Sequence, residues 1–217
     1  MGGRGQSGSS FGSVAISLLS GESTGDVSPI ITAGLMELRG NSADPESTLQ
    51  NIDRVRFNKL KHEQLFVVDN DGFVLKGYDG EKHSVAFDVE SALQWRGLTV
   101  THRHPSEYGG TFSMADVVNT VKYGFGWHEA SANEGRYVMR PTKSANGAGL
   151  VEALQKATPG IERQMSKVGK EIEAKKFPSK KAYLVANRKA QLEIVHTWYK
   201  LNTPKYGYEY EFKERTE

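Results

Sequence analysis

From Gln64 to Phe87 the apolar positions fall in short runs parted by turn residues, whereas from Gly149 to Leu201 they recur at helical spacing. Gln64-Leu65-Phe66-Val67-Val68 is rich in strand formers, Asp69-Asn70-Asp71-Gly72 is a turn cluster, and Phe73 to Tyr78 returns, which predicts a hairpin. Ser84 to Phe87 predicts a third strand. Asp88 predicts the cap of a short helix through Leu93, stopped by Gly97. Leu98 to Thr101 predicts a strand that runs into His102-Arg103-His104, where Pro105 forces an extended or turning path. Ser113 is a good N-cap for a helix from Met114 to about Tyr123. His128–Ala132 and Arg136–Arg140 predict two further strands joined at Glu134-Gly135 and ended by Pro141.

Upstream, a short helix is expected near Ile30 to Leu38. Asp44-Pro45-Glu46 has the form of an N-cap followed by proline at the first helical position, opening a helix through Leu49, Ile52, Val55 and Leu60. Downstream, the pattern predicts one helix from Gly149 to about Thr158, ended near Pro159-Gly160. A second carries Ile161, Met165, Val168 and Ile172 on one face. A third, capped by Ser179, runs to Leu201 with Ala182, Val185, Ala186, Ile194 and Trp198 on its packed side. Tyr206 to Phe212 alternates aromatic and polar residues as a last strand, and the aromatics Trp198, Tyr199, Tyr206, Tyr208, Tyr210 and Phe212 are expected to pack between that strand and the last helix. The fold class is therefore α/β (α+β): a mixed sheet flanked by helices with a helical C-terminal region. Residues 1–24, rich in Gly and Ser, predict a flexible tail. Residues 25–217 predict one domain, with its core at about 50–145 and C-terminal helices and strand at 146–217.

Composition narrows the chemistry. The 217 residues are 37% hydrophobic and 25% charged, enough to bury a core. Lys plus Arg is 28 against 26 Asp plus Glu, so a net charge of +2 gives no global pull toward nucleic acid or membrane. The lysines of the C-terminal helices are interrupted by Glu162, Glu171, Glu173 and Glu193 and predict a solvated face rather than a nucleic-acid stripe. No apolar run approaches the roughly 18 residues of a membrane span, and Val14 to Leu19 is too short to read as a signal peptide. The absence of cysteine excludes disulfide scaffolds, thiolate metal sites and cysteine nucleophiles, and it fits a reducing compartment.

The remaining chemistry gathers around position 102. On a strand, a period of two turns His102 and His104 to one side. Two imidazoles from a strand and the Asp116 carboxylate from the next helix would leave one position of a tetrahedral zinc open, as a hydrolytic site requires. Each residue has a plainer role as well. Ser113 serves as an N-cap and Asp116 as a first-turn acid; Glu129 near a strand rivals Glu63 as the free carboxylate. His62 faces away from Glu63, and His83, His128 and His196, lacking ligand spacing, are expected to be structural or exposed.

His102-x-His104-Pro105 followed by Ser113-x-x-Asp116, with the upstream Glu63, resembles the signature of the JAMM metalloproteases of the JAB/MPN class. Glu63 to Gly72 is similar to the glutamate and hairpin that open the JAB-like domains of the RadC family. The Phe112-Ser113-x-x-Asp116 run after a Gly-rich loop and Gly207-Tyr208-Glu209-Tyr210 resemble JAB-like domains of phage head morphogenesis proteins. The resemblance covers roughly residues 50–213. Two features depart from it: eight residues rather than the usual seven separate His104 from Ser113, and Arg103 stands where a small polar residue is commoner, its side chain expected to point away from the metal.

The resemblance implies a JAB/MPN-like fold in which His102, His104 and Asp116 bind Zn2+, Glu63 is the general base and Ser113 donates a hydrogen bond to the oxyanion. It implies hydrolysis of a peptide or isopeptide bond in a protein or peptide substrate, by a phage or mobile-element protein located in the host cytoplasm or the virion. Substrate choice would fall to the loops Ser106 to Thr111 and Tyr78 to Ser84. Two alternatives stand beside it. One is a non-catalytic binding or structural protein of a phage, as a virion component or an inhibitor of a host defence system. The other is a metal-dependent nuclease or nucleotide hydrolase, since a phosphodiester is also open to metal-assisted attack.

Overall fold

A computed structural model describes residues 27–57, 60–82, 84–104 and 110–215 of the chain. The expected tail, His83 and most of the loop after Pro105 lie outside the described residues. Helix α1 (Pro45–Ile52) opens as the sequence predicts, with the Asp44 side chain accepting from Ser47 N at 2.8 Å. It gives way at Asp53 to one wide π-helical turn, Asp53–Phe57, instead of continuing as α-helix to Leu60. Strands β1 (Gln64–Val68) and β2 (Val74–Asp79) form the predicted hairpin. After α2 (Val89–Leu93) come β3 (Thr99–Arg103), α3 (Met114–Tyr123), β4 (Trp127–Ser131) and β5 (Gly135–Pro141). Two long helices, α4 (Gly147–Glu173) and α5 (Lys180–Asn202), precede β6 (Tyr208–Glu214).

The strands make one mixed six-stranded sheet in the order β2-β1-β3-β4-β5-β6. Among the described residues only β3 and β4 pair in parallel. Parallel neighbours need a crossover, and α3 supplies it. The N-terminus of α3 therefore sits beside the carboxyl end of β3, where the two histidines leave the sheet.

One face of the sheet carries α3, α4 and α5 over a core that includes Phe112, Val117, Ala130, Met139, Leu150, Leu154, Val195 and Tyr199. A neighbouring cluster under β1, β2 and β3 contains Leu65, Val67, Tyr78, Trp95 and Val100. The other face packs Phe66 and Val68 on Leu49, Ile52 and Phe57 of the N-terminal helical segment. Next to that apolar patch lies a charged one. Glu129, fully buried, accepts from Thr101 Oγ1 at 3.0 Å and from Arg136 Nη1 at 3.0 Å, and Arg136 also reaches Glu46 at 2.7 Å. Lys213 holds Glu46 at 2.7 Å and Arg215 holds Asp53, so these pairs fasten the N-terminal helix to β5 and β6.

Breaking this network at its centre has a testable cost. Burial pushes the Glu129 carboxyl up to about 7, against the opposing pull of Arg136 and Thr101. Arg136→Met leaves that carboxylate buried without its cation, a change expected to cost about 3 kcal/mol at pH 8 in urea unfolding. The part of the cost that comes from Glu129 exists only while Glu129 is ionised, so it shrinks as pH falls toward 5. Adding Glu129→Gln is expected to recover most of it.

Four further expectations are corrected. Ser84 to Phe87 is not a strand; Ile30 bridges Tyr78 along the outer edge of β2, and Ala86 bonds to Ser28 instead. Near Ile30 to Leu38 the only helix is a 3-10 turn at Met36–Leu38. α4 runs unbroken through Pro159. That residue lies on the exposed side, where the missing N–H leaves a carbonyl that water can satisfy, while Leu150, Leu154 and Ile161 continue one buried face past it. On α5 the buried residues are Val195 and Tyr199, and Val185 is exposed, because the helix must meet α4 and the sheet together. The aromatics of α5 and β6 do pack together, with Tyr199 and Tyr210 ring centroids 5.5 Å apart. Among the described residues no helix is long and apolar enough to cross a membrane.

Candidate metal centre

Antiparallel pairing of β1 with β3 sets Leu65 opposite His102. His104 lies one residue beyond β3 and continues its path by donating from its backbone N to Ser131 O at 2.7 Å. The two imidazoles share one side, with Nε2 atoms 2.8 Å apart. His104 packs against Gly110 so closely that a Cβ on that glycine would lie 2.8 Å from the imidazole Nδ1. Arg103 turns to the opposite face, as the alternation demands, and bonds to Asn133.

Asp116 arrives from the first turn of α3. Ser113 and Asp116 form a reciprocal capping box: Asp116 N donates to Ser113 Oγ, and Ser113 N donates to Asp116 Oδ2 at 2.7 Å. The Ser113 hydroxyl also donates to Oδ2 at 2.7 Å. This fixes the carboxylate with Oδ1 at 3.3 Å from His102 Nε2 and Oδ2 at 3.6 Å from His104 Nε2. Burial alone would raise the Asp116 carboxyl; the His102 and His104 imidazoles outweigh it and hold it well below the usual range.

His102, His104 and Asp116 form a group whose donor atoms lie within 4.8 Å of one another and can hold a metal ion. The donor set suits zinc, whose bonds of about 2.0–2.1 Å place tetrahedral ligand atoms roughly 3.3 Å apart. The His102 side chain is only 3% exposed, whereas His104 and Asp116 each keep 17%, so the group opens to solvent on their side.

Glu63 lies just before β1. Extending the β1–β3 register by two residues sets it across from His104, on the same side of the sheet as both imidazoles. Burial pushes its carboxyl up to about 7, with His104 pulling it down and Asp116 adding to the rise. The rival Glu129 pairs with Thr101 on the other face and has its own cation there. The sheet thus separates the two glutamates, and only Glu63 shares a side with the metal-ligand candidates.

His128, expected to be structural or exposed, is buried, and its approach to His102 is what sequence reasoning missed. Its Nε2 stands 3.1 Å from His102 Nδ1, and its Nδ1 stands 2.6 Å from Thr120 Oγ1. Burial foremost, then the neighbouring His102, pushes its imidazole down to about 3. The signal lies in the register: β4 is parallel to β3 and sets His128 opposite Val100, on the side to which His102 points. His62 lies against Asp79 at 3.2 Å, and His196 against the Tyr210 hydroxyl at 3.0 Å. Phe112 closes the inner wall with its ring centroid 5.0 Å from that of His128.

Compared with protein-family models, curated proteins and solved structures, the chain matches none of them. The candidate metal site therefore rests on its own geometry.

Proposed function

We propose that this chain is a zinc-dependent hydrolase of the JAMM type acting on a peptide or isopeptide bond. The observation that carries the reading is the convergence of His102 Nε2, His104 Nε2 and the Asp116 carboxylate on the side of the sheet that also presents Glu63. When bound there, zinc supplies a Lewis acid and lowers the pKa of water toward about 7. Glu63 accepts the proton of the attacking water and returns it to the leaving amine, a task suited to a carboxyl whose burial sets its pKa near neutrality. Ser113 N keeps Asp116 Oδ2 in place, so the Ser113 hydroxyl can turn from Oδ2 toward the developing oxyanion without releasing the carboxylate.

Elemental analysis of the purified protein, followed by assays on fluorogenic peptides and isopeptide-linked lysine substrates, tests the proposal. About one zinc per chain is expected, with hydrolysis that stops on chelation and returns on zinc addition. A protein that carries no zinc and is indifferent to chelators overturns the reading. Stoichiometric zinc with no cleavage of either substrate overturns the hydrolase and leaves a metal-stabilised binding module.

A further inference from the structure

Behind the metal-facing side of His102 runs a hydrogen-bonded row that the proposed reaction does not use. His102 Nδ1 meets His128 Nε2 at 3.1 Å, His128 Nδ1 meets Thr120 Oγ1 at 2.6 Å, and Thr120 Oγ1 donates to the Asp116 backbone carbonyl at 2.7 Å. His102, His128 and Thr120 are each no more than 2% exposed, so water cannot replace any partner in the row.

Proton bookkeeping then sets the direction of every bond. A hydroxyl has one hydrogen, and that of Thr120 is given to the Asp116 carbonyl. Toward His128 the Thr120 oxygen is left as an acceptor, so His128 Nδ1 carries the proton. A neutral His128 with a proton on Nδ1 presents a lone pair on Nε2. That lone pair accepts from His102 Nδ1–H, and His102 in its neutral form then has a bare Nε2 facing His104 and Asp116. The reverse order would seat a proton on His102 Nε2, where it would occupy the lone pair a metal needs.

We propose that Thr120 and His128 form a tautomer-setting relay that holds His102 in the ligand-ready form, with Thr120 as its anchor and His128 as the positioning residue. The relay rests on the metal reading above but not on any hydrolytic activity. Its anchor and one ligand belong to the same helix: Asp116 gives the metal its side chain and the relay its backbone carbonyl. Helix α3 thus fixes both the carboxylate and, through its own Thr120 and His128 of β4, the protonation pattern of an imidazole on β3. A buried polar row of this kind is costly to leave half satisfied, which is why one hydroxyl can set the order of the whole.

Two measurements test it, both on the full chain with zinc as the probe. Long-range 1H–15N spectra of histidine-labelled, zinc-loaded protein are expected to show His128 and His102 as neutral Nδ1–H tautomers. Competition with a chromophoric chelator is expected to show zinc affinity reduced about 10- to 100-fold in Thr120→Val, which keeps the side-chain volume but not the hydroxyl, and restored in Thr120→Ser. Loaded protein with the proton on His128 Nε2, or a Thr120→Val variant that binds zinc as tightly as the parent, overturns the relay while leaving the metal site intact. Parent protein that takes up no zinc overturns the metal reading and the relay with it. If Thr120→Val does not fold, the spectra of the parent protein decide alone.

Discussion

A His102→Ala/His104→Ala double variant is expected to purify with essentially no zinc and to show no hydrolysis, while keeping its fold. Two of the three protein donors are gone, and a single carboxylate does not hold zinc against water. The capping box of α3 involves neither histidine, so Ser113 and Asp116 still start the crossover helix in the variant. The metal-linked part of stability is where the variant and the parent diverge. A ligand that binds only the folded state at 100 times its Kd contributes about 2.7 kcal/mol. For a chain of this size that is a rise in Tm of roughly 5–10 °C. The parent should show that rise on zinc addition and lose it on chelation, whereas the double variant should respond to neither. Elemental analysis and thermal unfolding in parallel check both halves. Equal zinc content in parent and variant would remove His102 and His104 from the site.

What could be seen in the sequence follows the range of the interactions involved. Asp44, Asp88, Ser113 and Ser179 each cap the helix that follows, because an N-cap needs only a side chain three residues from a free backbone N–H. The same locality made His102, His104, Ser113 and Asp116 legible as a group: fifteen or fewer residues separate them, and one strand end and one helix start bring them together. Pro159 misled because the cost of one missing N–H is local, while the buried face of α4 that outweighs it is set by α5 and the sheet. Ser84 to Phe87 has strand-forming residues, but Ile30 already bridges the outer edge of β2. The separation of Glu63 from Glu129 and the approach of His128 to His102 depend on strand order and register, which no local pattern carries.

Glu63→Gln is expected to lower kcat by about 10²- to 10⁴-fold with zinc content unchanged. The amide matches the carboxylate in size but cannot take up the proton of the attacking water, and Glu63 is not among the donor atoms that converge on the metal. The pH dependence gives a second signature. A general base must be ionised, so kcat/KM should fall as pH drops through the Glu63 pKa, which burial places at about 7 in the metal-free site. A bound dication favours the carboxylate, so in the loaded enzyme this acid limb lies below 7, and the residual activity of Glu63→Gln should lack it. Stability should move the other way. In the metal-free parent, a carboxyl raised from its usual 4.5 to about 7 on folding makes the folded state bind the proton more tightly than the unfolded one. The parent therefore loses stability as pH rises from 4.5 to 7, and the variant, with nothing to ionise at this position, does not. Glu63→Gln should thus unfold at higher urea than the parent at pH 8, while the two converge near pH 4. A variant that loses activity without gaining stability at pH 8 would place Glu63 in the reaction but not in the buried setting described above. One that keeps full activity would remove it as the base, and Glu129 could not take its place, because it lies across the sheet with Arg136.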